Sequence, residues 1–354
     1  MIFSLACATV VGTRRALVRG ARPLATMSEA ASIDSIRAAE SRIRDHVVRT
    51  PLLSSPFLDE LVGRRVLVKP ECLQRTGSFK IRGAWSAVSA IPDAERAGGV
   101  IAYSSGNHGQ GVACAAEAFG IPAVIVMPED TPSLKIANTK AYGAEVVLYD
   151  RETESREEIG GRIAAERGMT LVKPFDDPQV ISGQGTVGLE IAEQAAAAGV
   201  ADADVLVCCG GGGLSSGIAL ALEATAPGLR VRTCEPERFD DTARSLASGQ
   251  RERNAAAGGS ICDAIVTPTP GELTFPVLRR LAGAGLVVSE REALDAMRHA
   301  FLRLKVVAEP GGAVALAAAL HRTADLAAGD AVICVISGGN CDPAMFERAL
   351  SEEV

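Results

Sequence analysis

A chain of 354 residues has room for two or three domain-sized units. Its 47% hydrophobic and 4% aromatic content fits a helix-and-sheet protein with a sizeable core, and a net charge of −7 without blocks of like charge argues against nucleic acid or a membrane surface as main partner. No apolar run approaches the roughly 18 residues of a membrane span, and nine cysteines without a C-x-x-C pair or His/Cys cluster point to reduced thiols in an intracellular protein, not to disulfides or structural zinc.

Residues 1–32 differ from the rest of the chain. Arg14, Arg15, Arg19 and Arg22 come after a short apolar run, Ile2 to Val11, and no acid precedes Glu29. A secretory signal places its charge first, so the segment reads as a mitochondrial-type presequence or as a disordered tail around Met27. The cytoplasm is the expected location, with the mitochondrial matrix as the alternative. From Ile33, the spacing of Ile36, Ala39, Ile43 and Val47 predicts a helix to about Val47, ended by Thr50-Pro51. A short helix from Ser55 to Leu61 and a buried strand from Val66 to Val68 come next.

Strand–helix alternation then sets in. Strands are predicted over Val100–Tyr103, Ala123–Met127, Val146–Tyr149 and Thr170–Val172, with helices ending at Phe119 and spanning Ser133–Tyr142 and Arg156–Arg167. Such alternation with short links means a parallel sheet with helices on both faces. Residues 96–175 therefore read as a small domain, set into a large domain formed by 33–95 and 176–354. There, helix Ile181–Ala198 precedes strand Val205–Cys209, helix Ile218–Ala224 and strand Val231–Cys234. Ser289 and Glu292 form a capping box for a helix from Glu290 to Leu304. Another helix begins at Glu309-Pro310-Gly311-Gly312, and the last strand is Ala331–Ile336. The fold class is α/β, in two lobes, each a mostly parallel twisted sheet flanked by helices.

Four stretches carry chemistry. In Thr76-Gly77-Ser78-Phe79-Lys80-Ile81, a lysine sits between apolar neighbours at a helix start; it suits either a surface charge or a desolvated Schiff-base amine. Gly210-Gly211-Gly212-Gly213-Leu214-Ser215-Ser216-Gly217 is a strand–glycine–helix junction, where backbone N–H groups can converge on a phosphate. No Gly-Lys-Ser/Thr comes after it, and no acid stands at the ribose distance, so a phosphate monoester suits it better than a nucleotide. Ser104-Ser105-Gly106-Asn107-His108 offers hydroxyls, an amide and an imidazole for a carboxylate, at the strand end where ligands of such sheets bind. Ser337-Gly338-Gly339-Asn340 is a similar strand end, with a hydroxyl able to meet a ring nitrogen.

In order and spacing, these motifs resemble the serine/threonine dehydratase and serine racemase family, pyridoxal-phosphate enzymes of the tryptophan-synthase-β fold (fold type II). The resemblance covers about residues 33–345. It implies that Lys80 holds pyridoxal 5'-phosphate covalently, that Phe79 packs on its ring, and that Asn107 bonds its phenolic oxygen. Gly210, Gly211, Gly212, Gly213 and Leu214 would cradle the phosphate and Ser337 would meet the pyridine nitrogen. Ser104, Asn107 and His108 would take the substrate carboxylate. Lys80 would move the α-proton, and Ser105 matches the acid/base position on the opposite face in racemases. Arg156 falls where racemase-like members place a substrate-facing arginine, although a surface arginine paired with nearby acids accounts for it equally well. Glu235, the Phe239 carbonyl and Asp241 resemble a divalent-cation loop suited to Mg or Ca.

The implied activity is dehydrative deamination of L-threonine and L-serine, with serine racemase and 3-hydroxyaspartate dehydratase as alternatives within the fold. A non-catalytic binder of pyridoxal phosphate or a small anion is the alternative of another class. A homodimer is implied by the family alone. Glu309 keeps the family's glutamate, but the Gly311-Gly312 pair after it departs from the racemase pattern. Ser54, Ser55, Gln110 and Tyr142 match nucleotide-site positions too thinly to predict nucleotide activation. The regulatory domain of biosynthetic threonine dehydratases, with its isoleucine feedback, is not expected.

Overall fold

The computed structural model describes residue 1 and residues 31–104, 106–131, 133–150 and 152–351. The expected presequence or tail thus lies almost wholly outside the described residues, as does Ser105.

Helix α1 (Ile33–Ile43) opens with a reciprocal Ser32/Ser35 capping box and buries Ile36, Ala39 and Ile43. It stops four residues short of Val47. The Gln74 side chain holds the Val48 backbone at both ends, accepting from its N–H at 3.0 Å and donating to its carbonyl, which draws the chain out of the helix. Then come β1 (Leu53–Ser54), α2 (Pro56–Val62) and β2 (Arg65–Pro70). Helix α3 (Lys80–Ala90) begins at Lys80 itself, because the Phe79 N–H is tied to the Ser337 carbonyl at 3.1 Å and Ser78 bridges Gly338. Next are α4 (Asp93–Arg96), β3 (Val100–Tyr103), α5 (Asn107–Phe119), β4 (Ala123–Pro128), α6 (Ser133–Ala141), β5 (Glu145–Tyr149), α7 (Arg156–Arg167) and β6 (Thr170–Leu171).

The chain continues through α8 (Pro178–Ala197), β7 (Ala203–Cys208), α9 (Gly213–Thr225), β8 (Leu229–Pro236) and α10 (Asp241–Ser248). After these are α11 (Thr274–Leu281), β9 (Leu286–Val288), α12 (Glu290–His299), α13 (Pro310–His321), β10 (Ala331–Ile336) and α14 (Pro343–Ser351). The Ser289/Glu292 capping box is formed, but α12 ends at His299 and its last stretch, Ala300–Leu304, widens into a π-turn. Helix α9 opens five residues before Ile218, inside the glycine run, with Gly212 as its N-cap.

Two sheets result. The larger has the order β1-β2-β10-β7-β8-β9, parallel except for β1; the smaller, β5-β4-β3-β6, is wholly parallel. Strands β4, β7 and β10 are buried along their whole length, which explains their unbroken apolar sequence. One face of the larger sheet packs on α2, α12 and the largely apolar α13, the other on α8 and α9. No helix among the described residues is long and apolar enough to cross a membrane.

Candidate active site

Five strand ends open into one cleft. The larger sheet supplies Phe79 and Lys80 beyond β2, the glycine turn beyond β7 and Ser337 beyond β10; the smaller supplies Ser104, Gly106, Asn107 and His108 beyond β3 and Pro174-Phe175 beyond β6. These are carboxyl ends of parallel strands, where open sheets bind their ligands.

Lys80 is no solvated surface charge. Its Nζ donates to the Pro174 carbonyl at 2.9 Å and lies 5.3 Å from the centroid of the Phe79 ring. Burial pushes its ammonium down to about 8, with Glu309 pulling the other way. An amine in that range keeps a substantial free-base fraction near neutral pH.

His108 is neutral. Burial, reinforced by the Lys80 charge, pushes its imidazole down to about 3. Its Nε2 lies 3.0 Å from the Val172 carbonyl, and a carbonyl can only accept, so Nε2 carries the hydrogen. Nδ1 is then bare, and it has no partner among the described residues.

Asn107 joins the two sheets: its Nδ2 donates to Glu309, and its Oδ1 accepts from Asn340 Nδ2 at 2.8 Å. Burial pushes the Glu309 carboxyl up to about 7, against the opposing pull of Lys135 and Asn107.

The glycine turn is held by packing. A methyl at Gly211 would fall 2.3 Å from the Phe175 ring, and Gly212 adopts φ +90°, the left-handed region that favours glycine. The Gly211 carbonyl accepts from Thr274 Oγ1 at 2.6 Å, fixing the turn against α11.

The sequence profile of the family described as "pyridoxal-phosphate dependent enzyme" matches residues 43–338. The chain belongs to that family. The enzyme is 42% identical over 313 residues to the L-threo-3-hydroxyaspartate ammonia-lyase of Saccharomyces cerevisiae, covering 88% of this chain and 94% of that one. It is 40% identical to the L-threonine ammonia-lyase of Thermotoga maritima, over 91% of this chain and 78% of the other. The solved structure of maize serine racemase superposes with a TM-score of 0.85 at 40% identity, over 91% of the enzyme and 97% of that chain. The enzyme thus has the type II fold, and these relatives are ammonia-lyases and a racemase.

Its residues fit the family's cofactor. The first N–H groups of α9 have no intrahelical acceptor, and Gly213 and Ser215 of that turn line the cleft. Ser215 Oγ is buried there with no partner among the described residues, a donor suited to a phosphate oxygen. Lys80 supplies an amine of lowered pKa, and Phe79 beside it offers a flat apolar face.

Two further groups were expected to function. Arg156 does line the cleft; its Nε donates to Glu157 at 2.9 Å and its guanidinium lies 5.2 Å from the centroid of the Tyr103 ring. At the suspected cation loop, Glu235 caps α10, accepting from the N–H groups of Thr242 at 2.9 Å and Ala243 at 2.7 Å. Asp241 accepts from Asn254 through Oδ1, while its buried Oδ2 has no partner among the described residues. Burial and the neighbouring Asp241 push Glu235 well up, and burial pushes Asp241 up to about 6. No cluster of three His, Cys, Asp or Glu side chains that could hold a metal occurs among the described residues.

Sequence reasoning missed Pro174, Phe175 and Lys135. The signal for the first two was available: Lys173-Pro174-Phe175-Asp176-Asp177 comes after a strand of the parallel sheet, as the other site loops do. Lys135 had no such signal, being one polar position on a short helix.

Proposed function

We propose that this enzyme is a dehydrative ammonia-lyase converting a small L-3-hydroxy amino acid, L-threonine or L-serine first, to a 2-oxo acid and ammonia. The observation that carries this reading is the Lys80 amine, lowered to about 8, facing the same cleft as the glycine turn and a neutral Ser337 hydroxyl. Bound pyridoxal phosphate supplies the electron sink that makes the α-proton removable. Lys80 takes that proton from Cα, and in its protonated form it faces the departing β-hydroxyl. One water leaves and one is consumed, so threonine gives 2-oxobutanoate plus ammonia.

Ser104, the Asn107 amide and the free N–H groups at the start of α5 hold the substrate carboxylate, with the neutral His108 shaping that wall. In this reading Gly210–Gly213 and Leu214 would seat the phosphate, and Ser337, a neutral hydroxyl, would meet the ring nitrogen without supplying it a charge, which would favour elimination. Ser105 is the proposed acid/base on the opposite face. The proposal includes a small domain of 96–175 facing a large domain of 33–95 and 176–354, a homodimer, and Mg or Ca at Glu235, the Phe239 carbonyl and Asp241. A second reading, 3-hydroxyaspartate as substrate, is favoured by the Arg156 guanidinium in the cleft wall.

A timed assay on L-serine, L-threonine and L-threo-3-hydroxyaspartate, following 2-oxo acid and enantiomer together, tests both. The expected outcome is stoichiometric 2-oxo acid and ammonia. D-serine accumulating without 2-oxo acid would replace the lyase with a racemase.

A further inference from the structure

We infer that Lys135 is a specificity-determining residue that receives the second carboxylate of a dicarboxylic 3-hydroxy amino acid. This deepens the ammonia-lyase reading and rests on it for the reaction, though not for the binding.

Lys135 stands on the first turn of α6, about nine-tenths buried, with its side chain against Gly106. A methyl built on Gly106 would stand 3.3 Å from Lys135 Nζ. The ammonium lines the cleft and has two acidic neighbours, Asp263 Oδ2 at 3.7 Å and Glu309 Oε2 at 3.9 Å. Both distances exceed hydrogen-bond reach, so among the described residues it has countercharge without an acceptor. Desolvating an ammonium costs several kcal/mol in order of magnitude, and long contacts return little of it.

An entering carboxylate supplies what is missing, a charge-assisted bond at about 2.8 Å. Neither resident acid stands in the way. The Asp263 side chain is 53% exposed and can turn to water. Glu309 already accepts from Asn107, and a carboxyl raised to about 7 competes weakly near neutral pH.

Position selects the second carboxylate over the first. The loop beneath Lys135 offers neutral hydroxyl, amide and N–H donors for the α-carboxylate, leaving the ammonium at its rim for a charge one or two carbons away. Arg156 is the other cation of this wall; its Nε donates to Glu157 and its guanidinium lies 5.2 Å from the centroid of the Tyr103 ring, whereas Lys135 has no hydrogen-bond acceptor among the described residues.

The test compares holoenzyme with Lys135→Met and Lys135→Arg in two assays. In kinetics, Lys135→Met should lower the ratio of kcat/KM for L-threo-3-hydroxyaspartate to that for L-serine by about 10- to 100-fold, the effect of one charged hydrogen bond. Lys135→Arg should keep most of that ratio. In calorimetry, the wild type should bind succinate more tightly than butyrate, and Lys135→Met should remove the difference. A parallel fall for both substrates, with the succinate preference intact, would overturn the assignment. If the wild type turned over no 3-hydroxy amino acid, the ammonia-lyase reading would fall, and the succinate measurement alone would decide on Lys135.

Discussion

Asn340 Nδ2 donates to Asn107 Oδ1 at 2.8 Å and to the Thr76 carbonyl at 2.8 Å, so one amide ties the end of β10 to the start of α5 and to the loop before Lys80. Asn340→Ala removes both bonds and frees Asn107 within the proposed cofactor site. We expect a loss of roughly 1–2 kcal/mol in pyridoxal-phosphate affinity with the fold kept. Titration of the apoprotein with cofactor, followed by absorbance, measures it; an unchanged Kd would show that Glu309 alone positions Asn107.

Lys80→Ala should abolish turnover while leaving the circular dichroism of the chain unaltered. In wild-type apoprotein, the rate of covalent cofactor capture should rise with pH and level off above about 8, where the lowered amine is already free base. A rate still climbing towards pH 10 would mean that the amine is solvated and Lys80 ordinary.

Glu309 gives a pH dependence of opposite origin. Its carboxyl is raised to about 7 in the folded protein, so between the ordinary carboxylate range and 7 the folded form holds a proton that the unfolded chain has lost. The associated stability is present at acid pH and lost as pH rises through 7. Glu309→Gln keeps an acceptor for Asn107 and removes the titration. Urea melts of both proteins between pH 5 and 8.5 should lie close together at the acid end, separate in favour of the variant as pH rises towards 7, and run parallel above it.

Beneath α3 lies an ionic cluster with no solvent access to Lys69, Glu71 or Arg82. Arg82 donates to Glu71 at 2.7 Å and to Glu190 at 2.7 Å, and Lys69 donates to the other Glu190 oxygen. The paired cations hold the Glu71 carboxyl below its usual range despite its burial. Arg82→Met strands the buried Glu71 carboxylate and leaves Glu190 with Lys69 alone, and should cost about 3–5 kcal/mol. Arg49→Ala, which breaks an exposed pair with Glu193 at 2.8 Å, should cost under about 1 kcal/mol. Chemical denaturation of the two variants side by side checks the contrast.

At the Glu235/Asp241 loop, two acids are buried as neighbours, Asp241 raising Glu235, and a cation would relieve them both. If Mg or Ca binds there, saturation at about 100 times Kd should stabilise the fold by about 2.7 kcal/mol, reversibly with EDTA, and Glu235→Gln should remove the effect. Melting curves insensitive to both ions and to EDTA would leave the loop as a cap for α10.

What could be read from the sequence tracks the range of the contact involved. Strands Val100–Tyr103 and Ala331–Ile336 and helix Arg156–Arg167 have the predicted bounds, because burial on both faces or a clear N-cap writes itself into neighbouring residues. The glycine run announced a tight strand-to-helix turn for the same local reason, and that turn lines the cleft. Helix α10, helix α11 and strand β9 carry too few residues for a period to show. The links from Asn107 to Glu309 and Asn340 span 202 and 233 positions, and no local pattern reports them. Lys135 belongs to the same class, since its meaning lies in Asp263 and Glu309 across the cleft.

Three neighbouring positions beyond β6 answer to three different parts of the molecule. Pro174 presents its carbonyl to Lys80, Phe175 covers Gly211, and Asp176 accepts from the Leu273 N–H at 2.8 Å. Such a segment cannot drift one residue at a time. In a mutational library, replacements at 175 that alter ring shape should survive chiefly with a compensating change around the glycine turn, and insertions or deletions between 173 and 177 should be absent among active clones. The connection between β6 and α8 is therefore the least adaptable part of the cleft, and remodelling for a new substrate would have to begin elsewhere in its wall.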